Sequence, residues 1–538
     1  YGNSATSTTQ YPHAILTILQ NTPAAARIFS ETRRMTTPAN MVVIMTDQHS
    51  PKMLGCTGHA QVRTPHLDAL AASGTRFASA YTASPLCVPA RAALATGRTV
   101  HEIGCWDNAI AYAGDPPGWP HRLPEAGHRT VSIGKLHYRS DDDPVGFDAR
   151  IVPMHIADGV GELQGCIRPD LPVRTQGRKL AEQVGPGETS YTAYDRDITA
   201  RAVAWLADAA ANPPVNADGA ADGDADGHVR PWVLYVSMIC PHFPLSAPQA
   251  FYDLYDPDSI VIPKPFDAAY ADAHPWWRAF HDSILFDRYF TDDDHRRRAV
   301  ANYYGLVSFA DDNVGKILAA VAANGLGATT RIAYTSDHGD SLGARGIWGK
   351  GTMHEESAGV PMILAGPGIP AGKVSHTPVS LLDIYPTLLD CVGLAPNAAE
   401  AGLPGASLIG IANAPDDDAR IVLSEYHAAG ATSGLFMLRR GPWKYVHYTG
   451  YAPELFDLAH DPEEMVNLAG DPCHAAILDE LETALRALLA PETPESIDAR
   501  AKADQAAHVE RHGGRELILG AAPIHGSPVP GGESTRVA

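Results

Sequence analysis

At 538 residues with 45% apolar side chains, the chain can build one large domain and a smaller second one, which excludes disorder as its default state. A formal net charge of −21, from 41 basic and 62 acidic residues, excludes general binding to a phosphate backbone. No nucleic-acid partner is expected, and an anionic ligand would need a local cationic pocket.

Residues 1–40 are polar and weakly patterned and are read as an N-terminal arm. Met35 resembles a natural start, which would make the residues before it an addition. The short apolar patch 13–19 lacks the basic start and cleavage site of a signal peptide. No apolar run is long enough to cross a bilayer, so a soluble, cytoplasmic protein with no membrane partner is expected.

From Met41 onward, strand-like runs at 41–45, 130–133, 232–237 and 331–334 alternate with helical patterns such as Pro65–Ser73. This alternation predicts an α/β fold over 41–395, with a large, mostly parallel central sheet sandwiched by helices. Residues 207–230 read as a surface insertion. Within it, Asp222-x-Asp224-x-Asp226-Gly227 imitates the start of an EF-hand loop. The twelfth position is Val233 instead of Glu, and a strand follows, so the solvated-loop reading prevails.

Past Leu394 the texture changes to Gly- and Pro-rich linkers, strand-like runs at 421–425, 434–439 and Trp443–Tyr448, and a helix over Ala475–Leu489. A smaller C-terminal antiparallel α+β subdomain over 396–495 is expected. Residues 496–538 form a tail without a core of its own, suited to oligomerisation as a homodimer or homotetramer.

Seven cysteines, scattered and without a C-x-x-C pair, fit neither a disulfide framework nor a structural zinc site. Cys87 stands out by its context, Cys87-x-Pro89-x-Arg91 followed by Thr96-Gly97-Arg98. Pro89 suits the first helical position and Gly97 the helix end, which puts Cys87 just before a helix N-terminus. Free amides there favour an anion, and Arg91 on the first turn would reach the same spot. For a cysteine taken alone, a buried structural role is the ordinary reading.

Two acidic clusters follow predicted strands: Thr46-Asp47-Gln48-His49 and Ser336-Asp337-His338-Gly339-Asp340. Either alone could be a turn; together they suit ligands at the C-terminal edge of an open sheet. Lys135 and His137 stand at i and i+2, on one face of an extended backbone. His242 follows a buried-looking strand between prolines, and Lys350 lies in Gly349-Lys350-Gly351. For these, a surface lysine or a core histidine is the alternative reading.

The whole set resembles the type I sulfatases of the alkaline phosphatase superfamily, and the resemblance runs from Met41 to about Leu489. It implies a hydrolase of small aryl or alkyl sulfate monoesters. It also implies that Cys87 is oxidised to formylglycine by a formylglycine-generating enzyme. The aldehyde hydrate would attack sulfur, and loss of a proton from its second hydroxyl would expel sulfate and restore the aldehyde.

By the same resemblance, Asp47, Gln48, Asp337, His338 and the residue-87 oxygen surround one divalent cation. Arg91, Lys135 and Lys350 balance the sulfate charge, His137 assists the nucleophile, and His242 serves the leaving oxygen. Asn108 aligns with an asparagine of choline-sulfatase-like and phosphonate hydrolase relatives, and His354 is placed at the same mouth.

Two positions depart from the usual pattern, Gln48 for a second aspartate and His338 for an asparagine. An imidazole ligand moves the preference from Ca²⁺ toward Mn²⁺. The alternatives are a phosphonate monoester or phosphodiester hydrolase using the same site, and an inactive binding homologue.

Overall fold

Strand β1 (Asn40–Thr46) shows how the catalytic sheet is buried. Met41, Val43 and Met45 enter one core with Trp119, Leu388 and Leu389, while Val42 and Ile44 enter a second core with Leu70, Ile198 and Ile317. Both faces are covered, so the strand is an unbroken apolar run with no polar alternation. The computed structural model describes residues 37–168, 170–212, 230–262, 264, 274–521 and 527–531. The N-terminal arm up to residue 36 and residues 213–229 of the insertion, with its EF-hand-like run, lie outside the described residues.

The other strands of this sheet are β2 (Gly74–Phe77), β3 (Thr130–Lys135), β4 (Ala149–Met154), β5 (Val233–Ser237), β6 (Thr330–Ser336), β7 (Met362–Ala365) and β8 (Lys373–Ser375). Their spatial order is β4-β3-β5-β1-β6-β7-β2-β8, and only β7 runs against the rest. Helices Cys87–Thr96, Trp119–Glu125 and Ile384–Val392 cover one face. Helices Pro65–Ser73, Ser190–Ala211 and Asp293–Ala323 cover the other. The expected helix-sandwiched, mostly parallel sheet is present.

Register decides where the chemistry emerges. β1 pairs in parallel with β6, Thr46 opposite Ser336, and with β5, Met45 opposite Ser237. Asp47, Asp337 and the loop after Ser237 therefore leave neighbouring strands at the same, C-terminal edge.

A second sheet is antiparallel, in the order β9 (Ile421–Tyr426), β10 (Leu435–Arg440), β11 (Trp443–Tyr448) and β12 (Glu454–Asp457). One face packs Phe436, Leu438 and Tyr445 on Leu481, Leu485 and Leu489 of the helix Ala475–Leu489. The other packs Met437 and Val446 on Trp276, Trp277 and Phe280.

The tail differs from expectation. Helix Pro494–Arg511 buries Ile497 and Ala501 against this chain's own Trp106 and Phe436. Asp504 accepts from Trp106 Nε1 at 2.9 Å, and Gln505 donates to Asp107 at 2.7 Å. A charged sequence hid a narrow apolar stripe that suffices once a neighbouring groove is present. No described helix is long and apolar enough to cross a membrane.

Candidate active site

The position of Cys87 is set by a helix start. Helix Cys87–Thr96 is buried along its whole length and ends on Gly97 in the left-handed region, as expected. It begins at Cys87 with Leu86 as N-cap, so Pro89 is its third residue, not its first. Proline fits there because first-turn amides have no intrahelical partner. Asn108 Oδ1 accepts from the Val88 amide at 3.2 Å and so caps this turn beside Cys87.

Cys87 Sγ lies 2.9 Å from Lys350 Nζ, 3.2 Å from His338 Nε2 and 3.7 Å from Asp47 Oδ1. One donor atom each from Asp47, Cys87, Asp337 and His338 lies within 4.8 Å of the others, and all four residues are buried. His338 Nδ1 donates to the Gly339 carbonyl at 2.9 Å, which leaves the Nε2 lone pair free. Burial pushes this imidazole down to about 4, so the ring is neutral. Two carboxylates and a neutral imidazole fit a divalent cation with mixed oxygen and nitrogen donors.

Gln48 is brought to the same cluster, where its side chain meets Lys350, the lysine that also contacts Cys87. Its amide donates to Asp340 and its carbonyl accepts from Lys350 Nζ at 2.9 Å, so both ends are engaged as a bridge. Its backbone is held at φ 69°, a left-handed conformation that a side chain of this size rarely adopts.

Arg91 departs from expectation. It does not line the cleft. It donates through Nε to Asp337 at 2.8 Å, through Nη1 to Ser237 Oγ at 2.8 Å and the Lys135 carbonyl at 2.9 Å, and through Nη2 to Asp47 at 3.4 Å. Its planar fork braces both carboxylates and is turned away from the cleft. Burial disfavours its charge, but Asp337 and Asp47 hold the guanidinium above its ordinary range.

Lys135 donates to Asp47 and lines the cleft with Lys350. Burial would raise the Asp47 carboxyl, but Lys135, His242, Lys350 and Arg91 hold it well below the carboxylate range. Of the three cations beside these carboxylates, Arg91 is held by Asp337 and Asp47 away from the cleft, whereas Lys135 and Lys350 line it and can meet an anion there.

His137 lines the cleft, though not from an extended strand: β3 ends at Lys135, and His137 has φ 59°. The chain bulges at Gly134, where a Cβ would lie 2.2 Å from the Ser237 carbonyl, so only glycine fits. Burial and the charges of Lys135 and Arg91 push the His137 imidazole well down. His242 Nδ1 donates to the Phe243 carbonyl at 2.7 Å, which fixes its tautomer. Burial and the nearby Lys350 lower its pKa.

His354 is not brought to this site. It is 5% exposed, begins the short helix Glu355–Ala358, and packs on Trp277 at 5.2 Å between ring centroids. After Gly351 the chain dives under the C-terminal sheet and carries His354 away from the cleft.

The cleft itself, about 140 Å³, is lined by Cys87, Asn108, Lys135, His137, His242 and Lys350. Several walls were not foreseen. Tyr191, Phe286, Trp348 and Tyr426 are apolar flanks, while Glu162, Arg174 and Gln176 form a polar end. Asp340, part of the Ser336–Asp340 motif but given no role, accepts from the Gly349 amide at 3.0 Å and so holds the Lys350 loop. Ser527 of the tail also lines the cleft: its hydroxyl lies 2.7 Å from His137 Nε2, and its carbonyl accepts from Tyr191 at 2.9 Å.

Comparison with known proteins accords with this arrangement. The sulfatase family model matches residues 39–394, and the model for the C-terminal part of N-sulphoglucosamine sulphohydrolase matches residues 343–490. A choline-sulfatase of Rhizobium meliloti is 32% identical over 436 residues, covering 80% of this chain and 83% of the relative. An arylsulfatase K of Danio rerio is 28% identical over 472 residues, covering 84% and 83%.

In fold, the chain is similar to a phosphonate monoester hydrolase of Agrobacterium radiobacter, with TM-score 0.66 and 23% identity over 86% of this chain and 96% of that one. It is likewise similar to a 2-O GAG sulfatase, with TM-score 0.63 and 22% identity over 91% and 98%. With its sheet, its buried cysteine and its paired aspartates in this arrangement, the chain belongs to the sulfatase family of sulfuric ester hydrolases.

Proposed function

We propose that this enzyme hydrolyses small alkyl or aryl sulfate monoesters, with Cys87 matured to formylglycine by a formylglycine-generating enzyme. One observation carries the reading: Cys87 Sγ opens a buried helix within 3.2 Å of both Lys350 Nζ and His338 Nε2, in the wall of a cleft of about 140 Å³. That volume is below the usual range of ligand pockets, roughly 300–1,000 Å³, and admits a sulfate with a small alcohol.

A divalent cation held by Asp47, Asp337 and His338, Ca²⁺ or Mn²⁺, would acidify the hydroxyl at position 87 and neutralise a sulfate oxygen. Lys135 and Lys350 attract the sulfate, and Asn108 holds the helix start that presents residue 87. One hydroxyl of the hydrated aldehyde would form a bond to sulfur as the bond to the alcohol oxygen breaks, and its proton would pass by way of His242 to the departing alcohol. Loss of the proton from the second hydroxyl, with His137 assisting, would reform the carbonyl and expel sulfate. Water then rehydrates the aldehyde.

Mass spectrometry of the peptide containing residue 87, with turnover of nitrophenyl sulfate by the wild type and by Cys87→Ala, tests this reading. An aldehyde-bearing, metal-replete protein without turnover would overturn it. A second reading, phosphonate monoester hydrolysis at the same site, is favoured by the imidazole of His338 among the metal-binding groups. Comparing nitrophenyl sulfate with a nitrophenyl phenylphosphonate decides between them.

A further inference from the structure

The end of the cleft away from the lysines carries a different chemistry. Glu162 Oε1 accepts from Arg174 Nη2 and, at 2.7 Å, from Gln176 Nε2. All three residues line the cleft, together with Phe286 and Tyr426. Arg174 is 5% exposed, and its Nη1 is buried without a hydrogen-bond partner; so is Gln176 Oε1. Buried polar atoms are nearly always paired in native proteins, so two orphans in the wall of one cleft call for a ligand.

The orientation of the Gln176 amide is not arbitrary. Glu162 is an acceptor only, so the NH₂ must face it, and the Gln176 oxygen is the atom left over. The hydrogen-bonding groups left unused at this end of the cleft are therefore one donor, Arg174 Nη1, and one acceptor, Gln176 Oε1. The charge there is cancelled, because Glu162 already pairs with Arg174. A second anion is not demanded here, and a quaternary ammonium would satisfy neither orphan. A hydroxyl, which both accepts and donates, can use either group once a small turn of the side chain brings it to the cleft.

The subsite is tied to the reacting end. Gly161 packs so closely on the Asn108 carbonyl that a Cβ would lie 2.1 Å from it, and the Asn108 side chain caps the helix that starts at Cys87. A shift of Glu162 is thus resisted by the same backbone that positions residue 87.

We propose that Glu162, Arg174 and Gln176 form a specificity subsite for a free hydroxyl on the alcohol portion, which makes the preferred substrates monosulfates of small polyols. This rests on the sulfatase reading above.

The test compares kcat/KM of the metal-replete, aldehyde-bearing enzyme for glycerol monosulfate, propyl sulfate and choline sulfate, with nitrophenyl sulfate as the separate check on sulfatase activity. Two hydrogen bonds give glycerol monosulfate an advantage of about 10- to 100-fold over propyl sulfate. In Gln176→Leu and Arg174→Met, the ratio between these two substrates falls toward one. Turnover of propyl or choline sulfate equal to or faster than that of glycerol monosulfate by the wild type overturns the subsite, whatever the variants do. So does a ratio that survives in both variants. Absence of nitrophenyl sulfate turnover is a distinct result: it overturns the sulfatase reading, and the subsite falls with it.

Discussion

Replacing Arg91 by Met separates bracing of the ligands from binding of sulfate. Arg91 is 1% exposed and makes four hydrogen bonds, two of them to the carboxylates Asp337 and Asp47. Methionine fills much of the side-chain volume but leaves two buried carboxylates short of a cation. Breaking a buried ion pair from one side costs about 3–5 kcal/mol. Lys135 and Lys350 remain beside Asp47, whereas the guanidinium is the only cationic group bonded to Asp337 among the described residues.

Arg91→Met should therefore lose about 3–5 kcal/mol of unfolding free energy in a urea titration carried out with chelator. A divalent cation should restore part of the loss, because it brings positive charge to the same carboxylates. Stability within about 1 kcal/mol of wild type in chelator, with only the KM for sulfate esters raised, would refute the bracing role and return Arg91 to the substrate.

Chelation of the wild type should abolish ester hydrolysis and lower the thermal midpoint, checked by differential scanning fluorimetry with Ca²⁺ and Mn²⁺ added back separately. Ser527→Ala removes a hydrogen bond to His137 worth about 0.5–1.5 kcal/mol, so kcat/KM for nitrophenyl sulfate should change by up to about tenfold; no change would make the tail contact incidental. Gly134→Ala places a Cβ against the Ser237 carbonyl and should cost about 1–3 kcal/mol of stability with reduced soluble yield.

The buried pair Glu425 and His101, 2.9 Å apart, gives a pH signature. Burial would raise Glu425, but the charge and hydrogen bond of His101 bring it down to about 2 from an ordinary 4.5. Its contribution to stability is full above pH 4.5 and is lost as pH falls toward 2. Burial would lower His101, but Glu425 raises it above 6.5, so that contribution is full below pH 6.5 and is lost as pH rises through the higher folded value. His101→Gln should abolish the decline of unfolding free energy above pH 6.5.

Much of the architecture was legible because it repeats along the chain. Buried strands such as β1 advertise themselves as apolar runs, and Gly97 marks the end of the helix that starts at Cys87 by the left-handed turn it permits. The chemical motifs at residues 47, 87, 135, 242, 337 and 350 were legible for a related reason: each is a short local pattern tied to a strand end or a helix start. The parallel pairing of β1 with β5 and β6 then brings most of them to one sheet edge.

Local pattern does not say where a side chain points once its neighbours are in place. Arg91 turns to Asp47 and Asp337 because burial makes those charges its strongest partners. His354 leaves the site because the chain after Gly351 passes beneath the C-terminal sheet. The cleft walls come from Glu162, Arg174, Tyr191, Phe286, Tyr426 and Ser527, residues far apart in the chain with no shared periodicity. Sequence alone determined the sheet, the helix that starts at Cys87 and the class of reaction, since these depend on local backbone preference and residue chemistry. Only tertiary packing decided which cation braces the aspartates, which line the cleft, and which residues form its walls, since those follow from distances between segments the chain does not hold together.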